Sequence, residues 1–254
     1  MSVVQIERHK NYEVLKLNRG KANPINTELC SAIIKELRRI ENDDNVRGLI
    51  ITGNTPGYFS VGLDLKELYY HDKKEISHFW EVWGEMVIGL VKFRKPLISA
   101  INGYSPAGGC VIAVTCDYRV MADDEKFVIG LNETSVGIVV PEYIFQLYQF
   151  WIGKKAAFHF LMDGALHTPS KALEIGLVDE ICDVSDVLQK GQRKMEFWLT
   201  KPDSILQNSK LNSKSQLIND IENIEEISEE EKLKSWFDPQ SRAVMGSIVA
   251  QLSK

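Results

Sequence analysis

The stretch SAINGYSPAGGCVIAVTCDYRVMAD, Ser99–Asp123, decides the fold that we predict for this chain. It overlaps a run of twenty-one uncharged residues, Pro96–Cys116, which is long enough to cross a bilayer. Polar and helix-breaking residues interrupt the middle of that run: Asn102, Gly103, Ser105, Pro106, Gly108 and Gly109. We therefore predict two buried elements joined by a turn, a strand over Pro96–Ile101 and a helix over Gly108–Thr115.

Strands and helices alternate on both sides of this stretch. Upstream, the pattern predicts a strand over Tyr12–Leu17, a helix over Glu28–Glu41 capped by Thr27, and a strand over Val46–Thr52. Downstream it predicts further short strands: Tyr118–Met121, Lys126–Ile129 and Leu177–Ile181. Beyond Pro141 the predicted elements are mainly helical: Glu142–Trp151, Lys154–Met162, a helix from Pro169 to Gly176, and the last sixty-odd residues. Apolar strands alternating with helices indicate an α/β fold with a parallel sheet.

The composition is that of an ordinary globular protein. Hydrophobic residues make up 44% and charged residues 26% of the 254 residues, and the net charge is −5. Nucleic acid is excluded as the main partner, because phosphate binding needs an excess of Lys and Arg. The four cysteines show neither CxxC pairs nor a zinc-like spacing, so we expect reduced, buried thiols and no metal site.

Two glycine turns are candidates for anion binding, since the sequence has no dinucleotide, Walker, zinc-protease or serine-hydrolase motif. Gly108 stands between a predicted strand and a helix, where a peptide N–H is accessible and the helix dipole is positive. Close packing of strand and helix is the alternative role for that glycine. A second turn, Phe59–Leu65, places Gly62 before Leu63, with Asp64 as the cap of a following helix. Two such N–H groups facing one oxygen would form an oxyanion hole.

Glu133 is the third candidate, because it is the one charged residue of GLNETSVGIVVP, Gly130–Pro141. Burial among apolar neighbours would raise its pKa and make it a base near neutral pH. A surface or capping glutamate is the alternative interpretation. Asn132 beside it either orients substrate or closes a turn.

Three motifs together resemble the enoyl-CoA hydratase/isomerase (crotonase) superfamily, and most of all its mitochondrial Δ3,Δ2-enoyl-CoA isomerase branch. They are FSVGLDL (Phe59–Leu65), the stretch Ser99–Asp123 and GLNETSVGIVVP (Gly130–Pro141). The resemblance covers about Val14 to Cys182. It implies a spiral of ββα units over residues 1–190, with a helical region over 191–254 that forms trimers. It also implies thioester substrates carried on coenzyme A, with no separate cofactor and no metal.

Carried over by position, the resemblance assigns roles to individual residues. The oxyanion N–H groups fall on Leu63 and Gly108, and the catalytic base on Glu133. Hydratases of the superfamily have a second glutamate, and Val111 occupies that position here. The substrate-binding residues implied are Val61, Gly62, Leu63, Asp64, Leu65, Gly108 and Asn132. One base suffices to move a proton from C2 to C4, so isomerisation of 3-enoyl-CoA to trans-2-enoyl-CoA in β-oxidation is the expected activity.

Other functions stay open at this stage. They are thioester hydrolysis, dienoyl isomerisation, weak hydration with Glu142 as a second acid, and acyl-CoA binding without catalysis. The amino-terminal residues have no apolar signal core, and the chain does not end in a peroxisomal SKL. The resemblance favours the mitochondrial matrix, with the cytosol or the peroxisome as alternatives, and it implies a homotrimer.

Overall fold

Nine strands form the frame of the molecule in a computed structural model that describes residues 2–224 and 229–252. They are β1 (Val4–Arg8), β2 (Glu13–Leu17), β3 (Leu49–Gly53), β4 (Gly57–Tyr58), β5 (Leu97–Ile101), β6 (Gly103–Pro106), β7 (Tyr118–Ala122), β8 (Ile129–Gly130) and β9 (Glu180–Cys182). The larger sheet has the order β1-β2-β3-β5-β7-β9, and β4, β6 and β8 form a smaller one. Among these nine described strands, only β1 and β2 pair antiparallel, and the other strand pairs are parallel. All residues of β3 and β5 are buried, as expected of central parallel strands.

Helices fill the connections. They are α1 (Thr27–Glu41), α2 (Leu65–Leu68), α3 (Lys73–Lys92), α4 (Gly108–Thr115), α5 (Glu142–Ile152), α6 (Lys154–Asp163), α7 (Pro169–Glu174), α8 (Val187–Trp198), α9 (Asp203–Ser213), α10 (Ser215–Glu222), α11 (Glu229–Trp236) and α12 (Pro239–Leu252). The chain forms a strand of the large sheet, then a strand of the small sheet, then one or two helices, and repeats this order. The first such unit is β3, β4, α2 and α3, and the second is β5, β6 and α4. This confirms the predicted spiral of ββα units. The predicted carboxyl-terminal helical stretch is also found, although residues 225–228 and 253–254 lie outside the described part.

Several boundaries differ from the prediction. Strand β3 begins at Leu49 and not at Val46, since the Val46 N–H donates to the Asp43 carbonyl in a turn. Asn26, not Thr27, caps α1, because its side chain accepts from the Leu29 N–H at 3.0 Å. The strand predicted at Leu177 begins only at Glu180, since the N–H groups of residues 177 and 178 both donate to the Ala172 carbonyl and close α7. The strand predicted at 126–129 is reduced to Ile129–Gly130, because the Phe127 N–H donates to the Asp124 carbonyl in a turn.

Helix α8 crosses the predicted domain boundary at residue 190 and packs against the large sheet. A Cβ on Gly191 would lie 3.6 Å from the side chains of both Ala100 and Ile98, so the glycine lets helix and sheet approach closely. Asp117, whose side chain is 12% exposed, accepts from Lys210 Nζ and Lys214 Nζ, each at 2.7 Å. Burial alone would raise the pKa of Asp117, but the two ammonium groups lower it below its usual value. This charge cluster ties the carboxyl-terminal helices to the end of the sheet.

The cysteines are free thiols, three of them buried and Cys182 half-buried. Burial raises the pKa of Cys30 to about 12, so its thiol stays protonated at neutral pH. Within residues 2–224 and 229–252, each helix is too short or too polar to cross a bilayer.

Candidate active site

The two glycine turns predicted from the sequence lie against each other. Gly62 has a φ of +85°, a conformation that L side chains rarely adopt. A Cβ on Gly62 would lie 2.9 Å from the Ala107 Cβ and 3.1 Å from the Gly108 nitrogen. A side chain at residue 62 would therefore push the turns apart, which explains why glycine is required there.

The N–H groups of Leu63 and Gly108 have no acceptor among the described residues. Leu63 lies between two backbone bonds, from Ile25 N to the Gly62 carbonyl and from Asp64 N to the Ile25 carbonyl, both 2.8 Å. Gly108 begins α4, where the first N–H groups have no partner inside the helix. These neighbouring donors are therefore free to bind an oxygen atom of a ligand.

Ala107 holds the second turn in a strained conformation. Its φ of 49° and ψ of −121° are unusual for a residue with a side chain. Its N–H donates to the Gly130 carbonyl at 2.8 Å, and β6 runs parallel to β8. The Gly108 turn and the segment that follows Gly130 thus leave the same edge of the small sheet, at the carboxyl ends of adjacent strands.

Glu133 follows on that edge, in a single 3-10 turn over Glu133–Val136. It is 7% exposed, and its Oε2 is buried without a hydrogen-bond partner in the described part of the chain. Burial raises its pKa to about 7, while a hydrogen bond from its own backbone N–H has a smaller, opposing effect. The side chain fits a base that works near neutral pH, as the sequence predicts.

Three neighbours of Glu133 complete the surroundings. Asn132 Oδ1 and the Tyr148 hydroxyl are buried without a hydrogen-bond partner among the described residues. The pKa of Cys110 is raised by its own burial first and then by the negative charge of Glu133, which places this thiol near the carboxylate. Sequence reasoning missed Tyr148, because one tyrosine in the amphipathic helix α5 carries no signal of its own.

The remaining predicted site residues differ in exposure and in the bonds that they make. Val61 is 37% exposed and Leu65 is buried. The Asp64 side chain caps α2 by accepting from the Glu67 N–H at 3.2 Å, and it also accepts from Arg19. Its carboxylate is thus engaged in holding the turn. Glu142 lies exposed at the start of α5, as expected of a helix start facing solvent.

No group of three histidine, cysteine or acidic side chains in the described ranges could hold a metal ion. The described groups without a partner in the glycine turns and around Glu133 are instead two backbone donors, the Glu133 carboxylate, one amide and one phenol. Such a set can stabilise a negative oxygen and move a proton.

Comparison with known proteins agrees with this arrangement. Residues 7–247 match the enoyl-CoA hydratase/isomerase family. The chain belongs to this family. Membership predicted from the three motifs is thereby confirmed.

Among the relatives in the enoyl-CoA hydratase/isomerase family, some are named isomerases and others hydratases. The chain is 41% identical over 201 residues to "Enoyl-CoA delta isomerase 1, mitochondrial" of Rattus norvegicus, covering 79% of this chain and 70% of the relative. It is 31% identical over 182 residues to "2,3-dehydroadipyl-CoA hydratase" of Escherichia coli, covering 71% and 69%. The crystal structure of human mitochondrial delta3-delta2-enoyl-CoA isomerase superposes with a TM-score of 0.94 at 29% identity, covering 99% of this chain and 98% of that one.

Proposed function

We propose that this protein is a Δ3,Δ2-enoyl-CoA isomerase, which converts 3-enoyl-CoA to trans-2-enoyl-CoA in the β-oxidation of unsaturated fatty acids. The observation that carries the proposal is a single buried carboxylate, Glu133, in the segment that leaves the small sheet beside the turn of the two free backbone donors. Val111 is fully buried, and by the resemblance it takes the place where the hydratases carry a second glutamate. Holding and activating a water molecule for hydration needs a second polar group that valine lacks.

The thioester carbonyl oxygen binds to the N–H groups of Leu63 and Gly108. Glu133 then takes a proton from C2, and the electron pair of the broken C–H bond delocalises over C2–C4 and the carbonyl oxygen. The two N–H groups stabilise the enolate charge, which exists only after the proton has left. One such donor contributes roughly a hundred- to a thousandfold in rate.

The second half of the reaction returns the same proton. The carboxylic acid of Glu133 delivers it to C4, the C2–C3 double bond forms, and the carbonyl is restored. A pKa of about 7 suits both halves, because the carboxylate accepts and the acid donates at neutral pH. Substrate and product have the same oxidation level, so the reaction needs no redox cofactor, and coenzyme A enters only as part of the substrate.

Substrate contacts belong to the same proposal. The segment Val61–Leu65 would line the acyl and coenzyme A site, and the exposed edge of Val61 is available for this. The unpaired Asn132 Oδ1 would accept a hydrogen bond from an amide N–H of the coenzyme A portion or from a water molecule beside the substrate. Asp64 would contribute through its backbone position, since its side chain is already bonded.

A homotrimer and a mitochondrial location are also proposed. Exposed large apolar side chains concentrate in residues 139–173: Val139, Phe150, Phe158, Met162, Leu166 and Leu173. Such a concentration is typical of a contact between subunits. The resemblance instead assigns trimer contacts to residues 191–254, so the two regions are separate candidates. Relatives from rat, mouse and human are named mitochondrial, which supports a mitochondrial location, and within it we propose the matrix.

The proposal is tested by product analysis with trans-3-hexenoyl-CoA and, separately, trans-2-hexenoyl-CoA. The wild type should convert the first to the 2-enoyl ester and leave the second unhydrated. Glu133→Gln should lose turnover but still bind acyl-CoA, while Glu142→Gln, at an exposed glutamate on α5, should keep full activity. Rapid hydration of the second substrate, or activity that survives Glu133→Gln, would contradict a single-base isomerase.

A further inference from the structure

We propose that Arg19 is a positioning residue that holds the Leu63 N–H in its catalytic place; this rests on the proposed role of Leu63 as an oxyanion donor. Arg19 lies in the loop between β2 and α1, and its side chain is 16% exposed. Its Nη1 donates to Asp64 Oδ2 at 2.6 Å and to the Pro24 carbonyl at 2.9 Å. Its Nη2 donates to Glu67 Oε2 at 2.6 Å.

These bonds act on the backbone bridge that contains Leu63. Leu63 pairs with Ile25, and both peptide units flanking Leu63 bond to that one residue at 2.8 Å. Pro24 precedes Ile25, and Asp64 follows Leu63. The guanidinium of Arg19 therefore binds both segments of the bridge, immediately beside the residues that are paired.

Before Gly62 the turn is held by other bonds: the Val61 N–H donates to the Ala22 carbonyl at 3.1 Å and Asn23 Nδ2 donates to the Phe59 carbonyl at 2.9 Å. After Gly62, the side-chain bonds that join the turn and α2 to residues 19–26 in the described part of the chain come from Arg19 and Asn26. Gly62 has no side chain to pack, and α2 has only four residues. Glu67 ties α2 to the start of α1, because the Asn26 amide donates to both of its carboxylate oxygens at 3.0 Å. A guanidinium can donate hydrogen bonds to two carboxylates and a carbonyl at fixed angles, whereas the ammonium of a lysine is a single point charge.

A merely structural role for Arg19 makes a different prediction from a positioning role. An oxyanion donor is useful only where the oxygen develops charge, and a displacement of about 1 Å can cost roughly a hundredfold in rate. Loosening the bridge should therefore lower kcat more than it weakens binding of the coenzyme A portion. Loss of stability alone would leave kcat of the folded enzyme unchanged.

The test compares Arg19→Met with a matched control, Arg39→Met. Arg39 also donates to two carboxylates, those of Glu13 and Glu36, but it lies about 20 Å along α1 from Asn26. We expect Arg19→Met to lower kcat about tenfold to a hundredfold with KM changed less than threefold, and Arg39→Met to keep kcat. Arg19→Lys should fall between the wild type and Arg19→Met. A kcat of Arg19→Met equal to that of Arg39→Met would overturn the inference.

A second readout does not depend on turnover. Acetoacetyl-CoA bound to the wild type should become partly enolate, measured by its ultraviolet absorption, because the oxyanion donors stabilise that form. Arg19→Met should lower the enolate fraction of the bound ligand, and Arg39→Met should not. A wild type that neither isomerises 3-enoyl-CoA nor binds the enolate contradicts the proposed function itself. An active wild type with an unchanged enolate fraction in Arg19→Met contradicts only the role of Arg19.

Glu67→Gln serves if Arg19→Met does not fold. It keeps a hydrogen-bond acceptor for Nη2 but removes one of the two charges that orient the guanidinium. We expect a several-fold loss of kcat and a lower enolate fraction. Unchanged values of both in this variant would contradict the inference equally.

Discussion

Glu133 carries both the proposed proton transfer and a pH dependence that can be measured directly. Its carboxylate must be ionised to take the C2 proton, and burial raises its pKa to about 7. We therefore expect kcat/KM to fall tenfold per pH unit below about pH 7 and to level off above it, with one apparent pKa. Measurement from pH 5 to pH 9 with trans-3-hexenoyl-CoA checks this. A flat profile, or a pKa near 4.5, would show that a solvated carboxylate or another group is the base.

The same buried charge should make the wild type less stable at high pH. A carboxyl group whose pKa is raised from 4.5 to about 7 on folding stabilises the fold below pH 4.5, and this contribution is lost as the pH rises through 7. The difference between these two pKa values corresponds to about 3 kcal/mol of unfolding free energy. Relative to the wild type, Glu133→Gln should therefore gain about 2 kcal/mol more unfolding free energy at pH 8.5 than at pH 5.5.

Urea unfolding at fixed protein concentration measures this difference, with Glu142→Gln as the control. Any constant cost of the new amide cancels between the two pH values, so only the pH-dependent part is tested. An equal effect of Glu133→Gln at both pH values would mean that the Glu133 carboxylate is not desolvated in the folded protein.

The candidate site could be predicted from the sequence only where a residue departs from its local composition. Glu133 is the one charged residue in an otherwise uncharged twelve-residue segment, and Gly108 and Gly109 follow an apolar strand. Arg19 gives no such signal, because its carboxylate partners are 45 and 48 residues away. Their meeting depends on the bridge between Ile25 and Leu63, and single-residue patterns do not encode that pairing.

At the scale of elements, the contact between the two glycine turns leads to a prediction about Gly62→Ala. The new Cβ would meet Ala107 Cβ at 2.9 Å and the Gly108 nitrogen at 3.1 Å, at a φ of +85°. We expect a loss of more than about 1 kcal/mol in stability and a fall in kcat of tenfold or more, since both oxyanion donors move. Steady-state kinetics and urea unfolding on the same preparation measure the two effects.

Gly153→Ala is the matched control for that substitution. Its φ is +81°, and no atom outside its own neighbourhood lies within 4 Å of a Cβ there. It should lose about 1 kcal/mol from backbone strain and keep kcat. Equal kcat values for the two alanine variants would show that close contact of the turns is not needed for catalysis.

The order of elements follows from hydrophobic pattern, whereas their ends depend on specific hydrogen bonds. The buried strands β3 and β5 and the helices α1 and α4 were predicted within a few residues, because their runs are long or strongly periodic. The cap of α1 was wrong by one residue, since Asn26 and Thr27 are both good caps and only the Leu29 bond decides between them. Strand β9 was placed too early because apolar residues at 177–178 pack under a turn.

At the scale of the whole molecule, the carboxyl-terminal helix reaches the proposed active site. A Cβ on Gly137 would lie 3.1 Å from the Ser241 carbonyl oxygen, so α12 packs directly against the turn that begins at Glu133. The turn that begins at Glu133 is therefore held between the small sheet and a helix from the region predicted to form trimers. Contacts between subunits in that region would act on the position of the Glu133 turn.

Two surfaces are candidates for the contact between subunits, and the oligomeric state of surface variants distinguishes them. Met162 on α6 and Ile205 on α9 are both 62% exposed, and Phe158 lies one turn before Met162 on the same face of α6. Because the exposed apolar side chains concentrate around α6, we expect Met162→Asp to convert a trimer into monomers and Ile205→Asp to leave it intact. Light scattering after size-exclusion chromatography measures the masses. Dissociation by Ile205→Asp alone would place the contact in residues 191–254, and a monomeric wild type would contradict the trimer.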